Sequence, residues 1–234
     1  MAPALPLLPR GHLKRLRELW ARGRPSRLSQ LEGVHLDLVS SGCLEVLVED
    51  ETRSSWGARV RVTDLGVAVL AQARQALVAA QRPHHELGAR LSTWLRARDM
   101  LTWENVEFAN PDRSALRAWG VVRPDVFACK PTLRADSSAA AIYEVKVSRA
   151  DFLADLAKPQ KRQAYADLAE AVYFCAPQGL VEPSEVPKGV GLLCETAPGE
   201  FMLARKASRR KGFVLHPDTA LTLLVKQARA LAED

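Results

Sequence analysis

The spacing of apolar and polar residues predicts helices around a β-hairpin in the first third of the chain. Residues 11–22 place leucines and a tryptophan at helical spacing, and short second and third helices are predicted near Arg27–Leu31 and at Val34–Ser40. The runs C-L-E-V-L-V-E-D and A-R-V-R-V-T then enclose the polar loop E-T-R-S-S-W-G, which predicts two hairpin strands. Thr63 follows as the cap of a long predicted helix that continues to Gln81.

This order of elements resembles that of a winged helix-turn-helix domain. The phrase V-R-V-T-D-L-G-V-A-V-L is similar to the junction between the wing and the helix that follows it in such domains. The resemblance implies a DNA- or partner-binding domain over residues 1–82. The presumed recognition helix, V-H-L-D-L-V-S-S, carries no Arg or Lys that could bind guanine edges, which argues against sequence-specific binding through it. Trp56 in the presumed wing has two open interpretations, hinge packing and a minor-groove probe.

The second part of the chain alternates strands and helices. Arg82-Pro83 interrupts the helical pattern, so we expect a domain boundary there and a second domain over residues 83–234. The predicted elements of this domain are a helix at Glu86–Arg98, strands at 101–108, within 123–147, at 171–176, at 190–194 and at 200–204, and helices at 149–169 and from Pro217 onward. Helices that flank a mixed group of strands predict an α/β fold.

Composition limits the possible classes of protein. The 234 residues are 47% hydrophobic and 26% charged, which is ordinary for a soluble globular protein. No apolar run approaches the roughly 18 residues that a membrane span needs, and prolines break the short apolar start, which makes it a poor signal peptide. The four cysteines (Cys43, Cys129, Cys175 and Cys194) are scattered, so reduced core residues are expected. We therefore expect a cytoplasmic protein with no membrane partner.

The net charge of +6 is concentrated in two places. Residues 1–32 hold seven Arg or Lys against two Glu, and R-K-A-S-R-R-K at 205–211 adds five positive charges. Such clusters favour contact with a polyanion, and a solvated tail and loop is the alternative. The predicted helix at 149–169 adds further cations. The candidate DNA-phosphate contacts are Lys158, Lys161, Arg162, Arg205, Lys206, Arg209, Arg210 and Lys211.

A charged pair interrupts the strand-like run A-A-A-I-Y-E-V-K-V. Residues two apart share one face of a strand, so Glu144 and Lys146 project together. Asp125 heads the preceding apolar run, D-V-F-A-C, after a proline that cannot extend a central ladder. If the two runs pair as a hairpin, Asp125 lies near Glu144. Two carboxylates there would suit Mg²⁺, and a lysine could orient or deprotonate the attacking water, whereas a solvent-facing ion pair is the alternative.

The spacing R-P-D-x(18)-E-V-K, with an acid on the preceding helix, resembles the PD-(D/E)xK nuclease superfamily. The longer runs I-Y-E-V-K-V-S-R-A-D-F-L-A-D and A-V-Y-F-C-A-P-Q-G-L-V are similar to MmcB-like bacterial DNA-repair proteins, over roughly residues 85–205. This resemblance implies a restriction-endonuclease-like mixed sheet flanked by helices. It also implies a Mg²⁺-dependent deoxyribonuclease, with Mn²⁺ as a substitute, that acts on DNA in repair or processing and can pair as a homodimer.

The resemblance also implies roles for particular residues. Asp125, Glu144 and the backbone carbonyl of Val145 would bind the metal, and Lys146 would be the catalytic lysine. Glu86 matches the acid of the preceding helix by position, with Glu104 and Glu107 as competitors. A non-catalytic DNA-binding or regulatory module with a nuclease-like fold is the alternative function.

Other polar residues of this region have structural interpretations. His84-His85 is interpreted as a structural or surface pair, because it lacks partners at metal-ligand spacing. Asp151 and Asp155 are interpreted as a cap and a solvated helix face. Tyr165 is interpreted as a core residue.

Overall fold

A computed structural model describes residues 5–47, 58–109 and 121–233. The chain divides into two compact units, Met1–Gln81 and Arg82–Asp234. We describe each unit by itself.

The N-terminal unit combines helices with a small antiparallel sheet. Strand order is β1–β3–β2, and both pairings with β3 are antiparallel. Its core contains Leu16 and Leu19 of α1, Leu38 of α2, Leu44 of β2 and Val60 of β3. The elements are α1 (Arg10–Trp20), β1 (Ser26–Leu28), α2 (Gly33–Ser40), β2 (Leu44–Leu47), β3 (Ala58–Val62) and the start of α3 (Asp64–Arg96).

The predicted helix near Arg27–Leu31 is wrong, because β1 forms there. Ser26 and Leu28 are buried while Arg27 between them is exposed, which is the period of a strand. A helix of one turn has a costly nucleus and few hydrogen bonds, so pairing with β3 is the better outcome. The predicted α2 and the two hairpin strands are confirmed, and Arg53 and Trp56 of the loop between these strands lie outside the described residues.

The predicted break at Arg82-Pro83 is also wrong, since α3 continues through Pro83 to Arg96. Proline removes one amide donor from a helix, but the turns on either side are rich in Ala, Leu, Gln and Arg, which are strong helix formers. The predicted helices at 64–81 and 86–98 are therefore one helix, which crosses the division between the two units.

The C-terminal unit contains a six-stranded mixed sheet flanked by helices, as the α/β prediction requires. Strand order is β11–β10–β9–β8–β7–β4, in which β8–β9 and β9–β10 are parallel and the other neighbours antiparallel. The strands of this sheet are β4 (Leu101–Glu104), β7 (Val126–Cys129), β8 (Ala141–Val145), β9 (Ala171–Pro177), β10 (Gly191–Ala197) and β11 (Glu200–Arg205); β5 (Phe108–Ala109) and β6 (Val121–Val122) pair separately, and the helices are α4 (Arg149–Leu156), α5 (Pro159–Leu168) and α6 (Pro217–Glu233).

The two faces of this sheet pack against different helices. Tyr143 and Val145 of β8 cluster with Leu87 and Leu91 of α3. The alternate residue of the strand, Ile142, clusters with side chains of α4 and α5, among them Phe152 and Tyr165. Side chains alternate along a strand, so Glu144 and Lys146 point toward the face that α4 and α5 cover.

The single helix predicted at 149–169 is two helices. Ser148 caps α4, where its hydroxyl accepts the amide hydrogen of Asp151 at 3.1 Å. The first helix ends at Leu156, and Pro159 begins the second at a position where its missing amide hydrogen costs nothing. This break turns the chain so that Asp155 of α4 and Lys161 of α5 lie together.

No helix within the described ranges has both the length and the apolar character that a membrane crossing would require.

Candidate active site

Strand β8 carries its two charges into the interior. Glu144 is 4% exposed and Lys146 is 2% exposed. The neighbouring strand holds them there, because Glu144 is paired in register with Phe174 and the amide of Lys146 donates to the carbonyl of Cys175 at 2.8 Å. An ionised group in such a place needs partners of opposite charge.

Asp125 lies beside the same end of β8. Strands β7 and β8 pair as the predicted hairpin, with Val126 opposite Tyr143. Asp125 precedes Val126, and its Oδ2 accepts the amide hydrogen of Val145 at 2.7 Å. The hairpin therefore brings Asp125 to the residues that flank Glu144, as the strand pattern predicts.

Two lysines bridge the same pair of carboxylate oxygens. The Lys146 ammonium lies 3.1 Å from Glu144 Oε1 and 3.1 Å from Asp155 Oδ2. The Lys161 ammonium contacts Glu144 Oε1 as well, and it lies 3.2 Å from Asp155 Oδ2. Asp151 completes the group at 3.9 Å from Lys146 Nζ. We call Glu144, Lys146, Asp155 and Lys161 the charge cluster.

Helix α5 closes the charge cluster with two further side chains. The Arg162 guanidinium lies 3.4 Å from Asp155 Oδ1 and donates to the carbonyl of Leu156 at 3.1 Å. The Tyr165 hydroxyl lies 2.9 Å from Glu144 Oε2 and 3.1 Å from the carbonyl oxygen of Arg123. One hydroxyl hydrogen can serve only one of these two acceptors at a time, and in either case Tyr165 packs against Glu144 and limits its movement.

The surroundings shift the pKa values of the cluster in opposite directions. Burial, then the carboxylate of Asp125, raise the pKa of Glu144, and the two ammonium groups offset only part of this. Burial would lower the pKa of Lys146, but the carboxylates of Glu144, Asp155 and Asp151 outweigh it and raise that pKa. Burial likewise opposes ionisation of Asp155, yet Lys146 and Lys161 hold its pKa below the usual value. Lys146 is therefore a stable cation in this structure.

His84 binds the second oxygen of Asp125. Its Nε2 lies 3.0 Å from Asp125 Oδ1, and this hydrogen bond raises the pKa of His84 against the opposing effect of burial. Helix α3 packs against the two strands at Gly88, where a Cβ would meet Val126 and Val145 in ordinary van der Waals contact at 3.9 Å. Residues four apart share a helix face, and His84 is thereby brought over Asp125.

The three candidates for the further acid lie elsewhere. Glu86 pairs with Arg82 at 2.7 Å on α3 and is two residues from Gly88, away from the packed face. Glu104 lies 3.8 Å from Arg96, and Glu107 lies 3.8 Å from Arg123. None of these three carboxylates has a hydrogen bond or ion pair with Asp125 or Glu144, all of which are described residues. The helix residue that does reach Asp125 is His84.

The side chains of the basic segment 205–211 differ in whether they have partners in the structure. The Arg205 guanidinium donates to the carbonyls of Pro183 and Val186. Arg209 lies 3.7 Å from Glu170, and Arg210 donates to the carbonyl of Ala166 at 3.4 Å. The side chains of the remaining candidates are exposed and form no hydrogen bond or ion pair within the described part of the chain; they are Lys158, Lys206 and Lys211.

A groove of about 550 Å³ lies between α5 and this basic segment. Its lining includes Arg162, Lys188, Arg209 and Arg210. Arg162 also contacts Asp155, so the groove adjoins the charge cluster.

Asp155, Lys161 and His84 are site residues to which the sequence pattern assigned other roles. Asp155 was expected on a solvated helix face, but it is 5% exposed and binds both lysines. Lys161 was expected at a phosphate backbone, and His84 at the surface or in a structural pair. The available signal was Pro159, which is suited to the first position of a helix, although Pro83 lies inside α3 without starting a new one.

The oxygen atoms near the end of β8 are partly suited to bind a hard cation. Asp125, Glu144 and the carbonyl of Val145 are the ligand types that Mg²⁺ prefers. Continuing the β7–β8 register sets Pro124 opposite Val145, and proline has no amide hydrogen that could occupy that carbonyl. Glu144 Oε1 already receives two ammonium groups. Within residues 5–47, 58–109 and 121–233, no group of three or more His, Cys, Asp or Glu side chains is arranged to hold a metal ion.

Comparisons with known proteins add a distant structural likeness. No protein-family model matches the chain, and no curated protein matches it. One solved structure, the SPO1766 protein of unknown function from Silicibacter pomeroyi, is 26% identical, with 62% of this chain and 84% of that chain covered and a TM-score of 0.43. A likeness at this level carries no argument about function, which has to come from the residues of the site.

Proposed function

We propose that the C-terminal unit is a Mg²⁺-dependent DNA endonuclease with a restriction-endonuclease-like fold. The observation that carries the proposal is the burial of Glu144 and Lys146 side by side in the centre of a sheet, next to Asp125. The spacing of these three residues, R-P-D-x(18)-E-V-K, adds the resemblance to PD-(D/E)xK nucleases.

The energetic argument concerns the cost of buried ions. Taking an ion out of water costs several kcal/mol even after the protein relaxes, and apolar residues of similar size are often as stable in the same place. The charge cluster is therefore hard to explain as a stabilising device. Perturbed, interacting titratable groups of this kind are typical of functional sites.

In this proposal Asp125, Glu144 and the Val145 carbonyl would bind Mg²⁺, which would supply Lewis-acid stabilisation of negative charge on the phosphate. Lys146 is held as a cation by its three carboxylate neighbours. It would donate hydrogen bonds to the attacking water or to a phosphate oxygen. Tyr165 orients Glu144, and His84 orients Asp125.

We also infer that the N-terminal unit is a winged-helix-like docking module for DNA or a protein partner, and that the whole chain serves DNA repair or processing in the cytoplasm. Helix α2 offers no Arg or Lys to DNA bases. Arg27 and Arg59 are exposed and lie opposite each other on β1 and β3, which places positive charge on the sheet. A polyanion contact without sequence readout fits that arrangement.

One observation favours a second candidate, a non-catalytic DNA-binding or regulatory module. Both carboxylates of the charge cluster are already paired with lysines, so the cluster is neutralised without any metal. In that case the nuclease-like fold would hold DNA or a partner and would need no divalent ion.

The experiment that separates the two candidates is an incubation of the full chain with circular and linear DNA, single- and double-stranded. Each DNA is tested with Mg²⁺, with Mn²⁺ and with a chelator. The nuclease proposal predicts products that form only with a divalent ion. Retention of DNA in a gel-shift assay, with no cleavage of any of the four DNA forms in either metal, would support the binding module and overturn the nuclease.

A further inference from the structure

The charge cluster places two cations on the same two carboxylate oxygens. Lys146 and Lys161 both lie between Glu144 Oε1 and Asp155 Oδ2, so two ammonium groups share two oxygens. Arg162 adds a third positive charge on the other oxygen of Asp155. Either lysine alone would bridge the pair of carboxylates.

The two lysines differ in how firmly they are held. Lys146 extends from a central strand, and its side chain is 2% exposed. Lys161 lies in the first turn of α5, the helix that begins at Pro159, and its side chain is 22% exposed. Lys161 is nearer to solvent than Lys146 and its long side chain is flexible, so it is the lysine that can move at the smaller cost.

A divalent ion on Glu144 and the ammonium of Lys161 cannot share the same oxygen without strong repulsion. At a separation of about 4 Å, like charges near a protein surface repel each other by several kcal/mol. The carboxylate oxygen that Lys161 contacts belongs to a residue that the proposed function assigns to the metal. Lys146 lies 3.1 Å from the same oxygen but is held in the interior, so binding of the ion through Glu144 Oε1 requires Lys161 to withdraw.

We infer that Lys161 is an exchangeable internal cation, which occupies Glu144 in the resting site and gives up that position to a divalent ion. This inference rests on the proposed function, because it takes Glu144 as a metal ligand. It assigns Lys161 a role in setting the affinity of the site for the ion. Asp155, which is bound by Lys146 and Arg162 as well, remains neutralised when Lys161 leaves.

The test is calorimetric titration of Mg²⁺ and Mn²⁺ into the full chain without DNA. Lys161→Gln keeps most of the side-chain length and removes the charge, and it should bind the ion about tenfold more tightly or better than the wild type, because a contacting positive charge has gone. Lys158→Gln is the matched control. It makes the same charge change at the N-cap of the same helix, on an exposed side chain, and should bind the ion as the wild type does.

A third variant keeps the experiment decisive if Lys161→Gln does not fold. Lys161→Gln combined with Asp155→Asn removes one charge of each sign, and its Glu144 is equally released from Lys161. This variant should also bind the ion more tightly than the wild type. Each titration is accompanied by a melting curve without metal, which establishes that the protein is folded.

The outcomes separate the inference from the function on which it rests. If the wild type binds Mg²⁺ and Lys161→Gln binds it with equal or lower affinity, Lys161 is not displaced and the inference is wrong. If neither the wild type nor the folded variants bind either ion, the metal-dependent function itself is wrong, and the inference fails with it. Binding that appears only in the Lys161 variants would support the exchange most strongly.

Discussion

The two faces of strand β8 have the same backbone and opposite chemistry. On one face Tyr143 and Val145 pack against the leucines of α3 in a wholly apolar cluster. On the other face, Glu144 and Lys146 are equally buried but are joined by Asp155 and Lys161. The apolar face contributes stability by burial, whereas the charged face gains little from its ion pairs after desolvation. The α3 face therefore serves stability alone, whereas the α4–α5 face combines the apolar packing of Ile142 with a charge cluster that stability does not explain.

The first test of this comparison removes one positive charge from the charged face. Lys146→Met keeps the length and apolar stem of the side chain, and it should reduce DNA cleavage by about 10²–10³-fold, the loss seen when a preorganised charged or hydrogen-bonding group is removed. The rate of plasmid nicking per folded molecule measures this effect. Lys226→Met, the same change at an exposed position of α6 outside the candidate site, is the control. Near-normal cleavage by a folded Lys146→Met protein would contradict the proposed mechanism.

The second test damages the apolar face. Leu91 is fully buried under the sheet, and Leu91→Ala should lower the free energy of unfolding by about 2–5 kcal/mol because it leaves a cavity. Urea denaturation of the full chain measures the loss. Cleavage per folded molecule should stay within a factor of a few of the wild type. A loss of cleavage as large as that of Lys146→Met, with stability unchanged, would show that the two faces do not differ as described.

The sequence was sufficient for most of the strands and for the hairpin that brings Asp125 to β8. Period-two alternation marks a strand wherever it occurs, so Glu144 and Lys146 could be placed on one face from the sequence alone. The ends of the helices were harder to predict from the sequence. Pro83 is tolerated inside α3, whereas Pro159 begins a new helix, and the local pattern around a proline does not distinguish these outcomes.

Which residues meet at the site depends on tertiary geometry, and this could not be predicted from the local sequence pattern. Asp155 and Lys161 meet Glu144 only because the chain turns between α4 and α5. His84 reaches Asp125 only because α3 packs on the sheet through Leu87 and Leu91. Glu86, which position alone suggested as the acid of the preceding helix, pairs with Arg82 in this structure.

A smaller effect is expected in the basic segment 205–211, where a charged side chain with structural partners can be compared with exposed charged side chains. Arg205 donates hydrogen bonds to two backbone carbonyls, one exposed and one partly buried, so Arg205→Ala should cost about 0.5–1.5 kcal/mol of stability through their loss. The double variant Lys206→Ala/Lys211→Ala removes exposed charges. It should leave stability unchanged and reduce the slope of log affinity for DNA against log salt by about 0.9 for each phosphate that these lysines neutralise in the wild type. An unchanged slope would mean that these lysines are only solvated.

The smallest expected effect concerns His35 in the N-terminal unit, a buried polar residue outside any cluster. Arg15 Nε donates to its Nε2 at 2.8 Å and the Glu32 amide faces its Nδ1 at 3.0 Å. Burial, then the charge of Arg15, lower the pKa of His35. The unfolded chain therefore binds a proton first as the pH falls below about 6.5, and stability decreases there by up to about 1.4 kcal/mol per pH unit.

Hydrogen exchange of the amides of α1 and β3 between pH 7.5 and 5 measures this effect. After correction for intrinsic exchange rates, their protection should decrease as the pH falls in the wild type, and it should decrease less in His35→Gln. Equal pH dependence in the two proteins would show that His35 does not control the acid response of this unit.

The most direct test of the metal site is a melting series of the wild type and Asp125→Asn over millimolar Mg²⁺. Binding to the folded state raises stability by mass action, by about 1.4 kcal/mol at ten times the dissociation constant. This should raise the thermal midpoint of the wild type by a few degrees. Asp125→Asn retains an oxygen for the Val145 amide but loses a carboxylate ligand, and its midpoint should not respond to Mg²⁺. Equal responses of the two proteins would show that Asp125 is not a ligand and would contradict the account of this site.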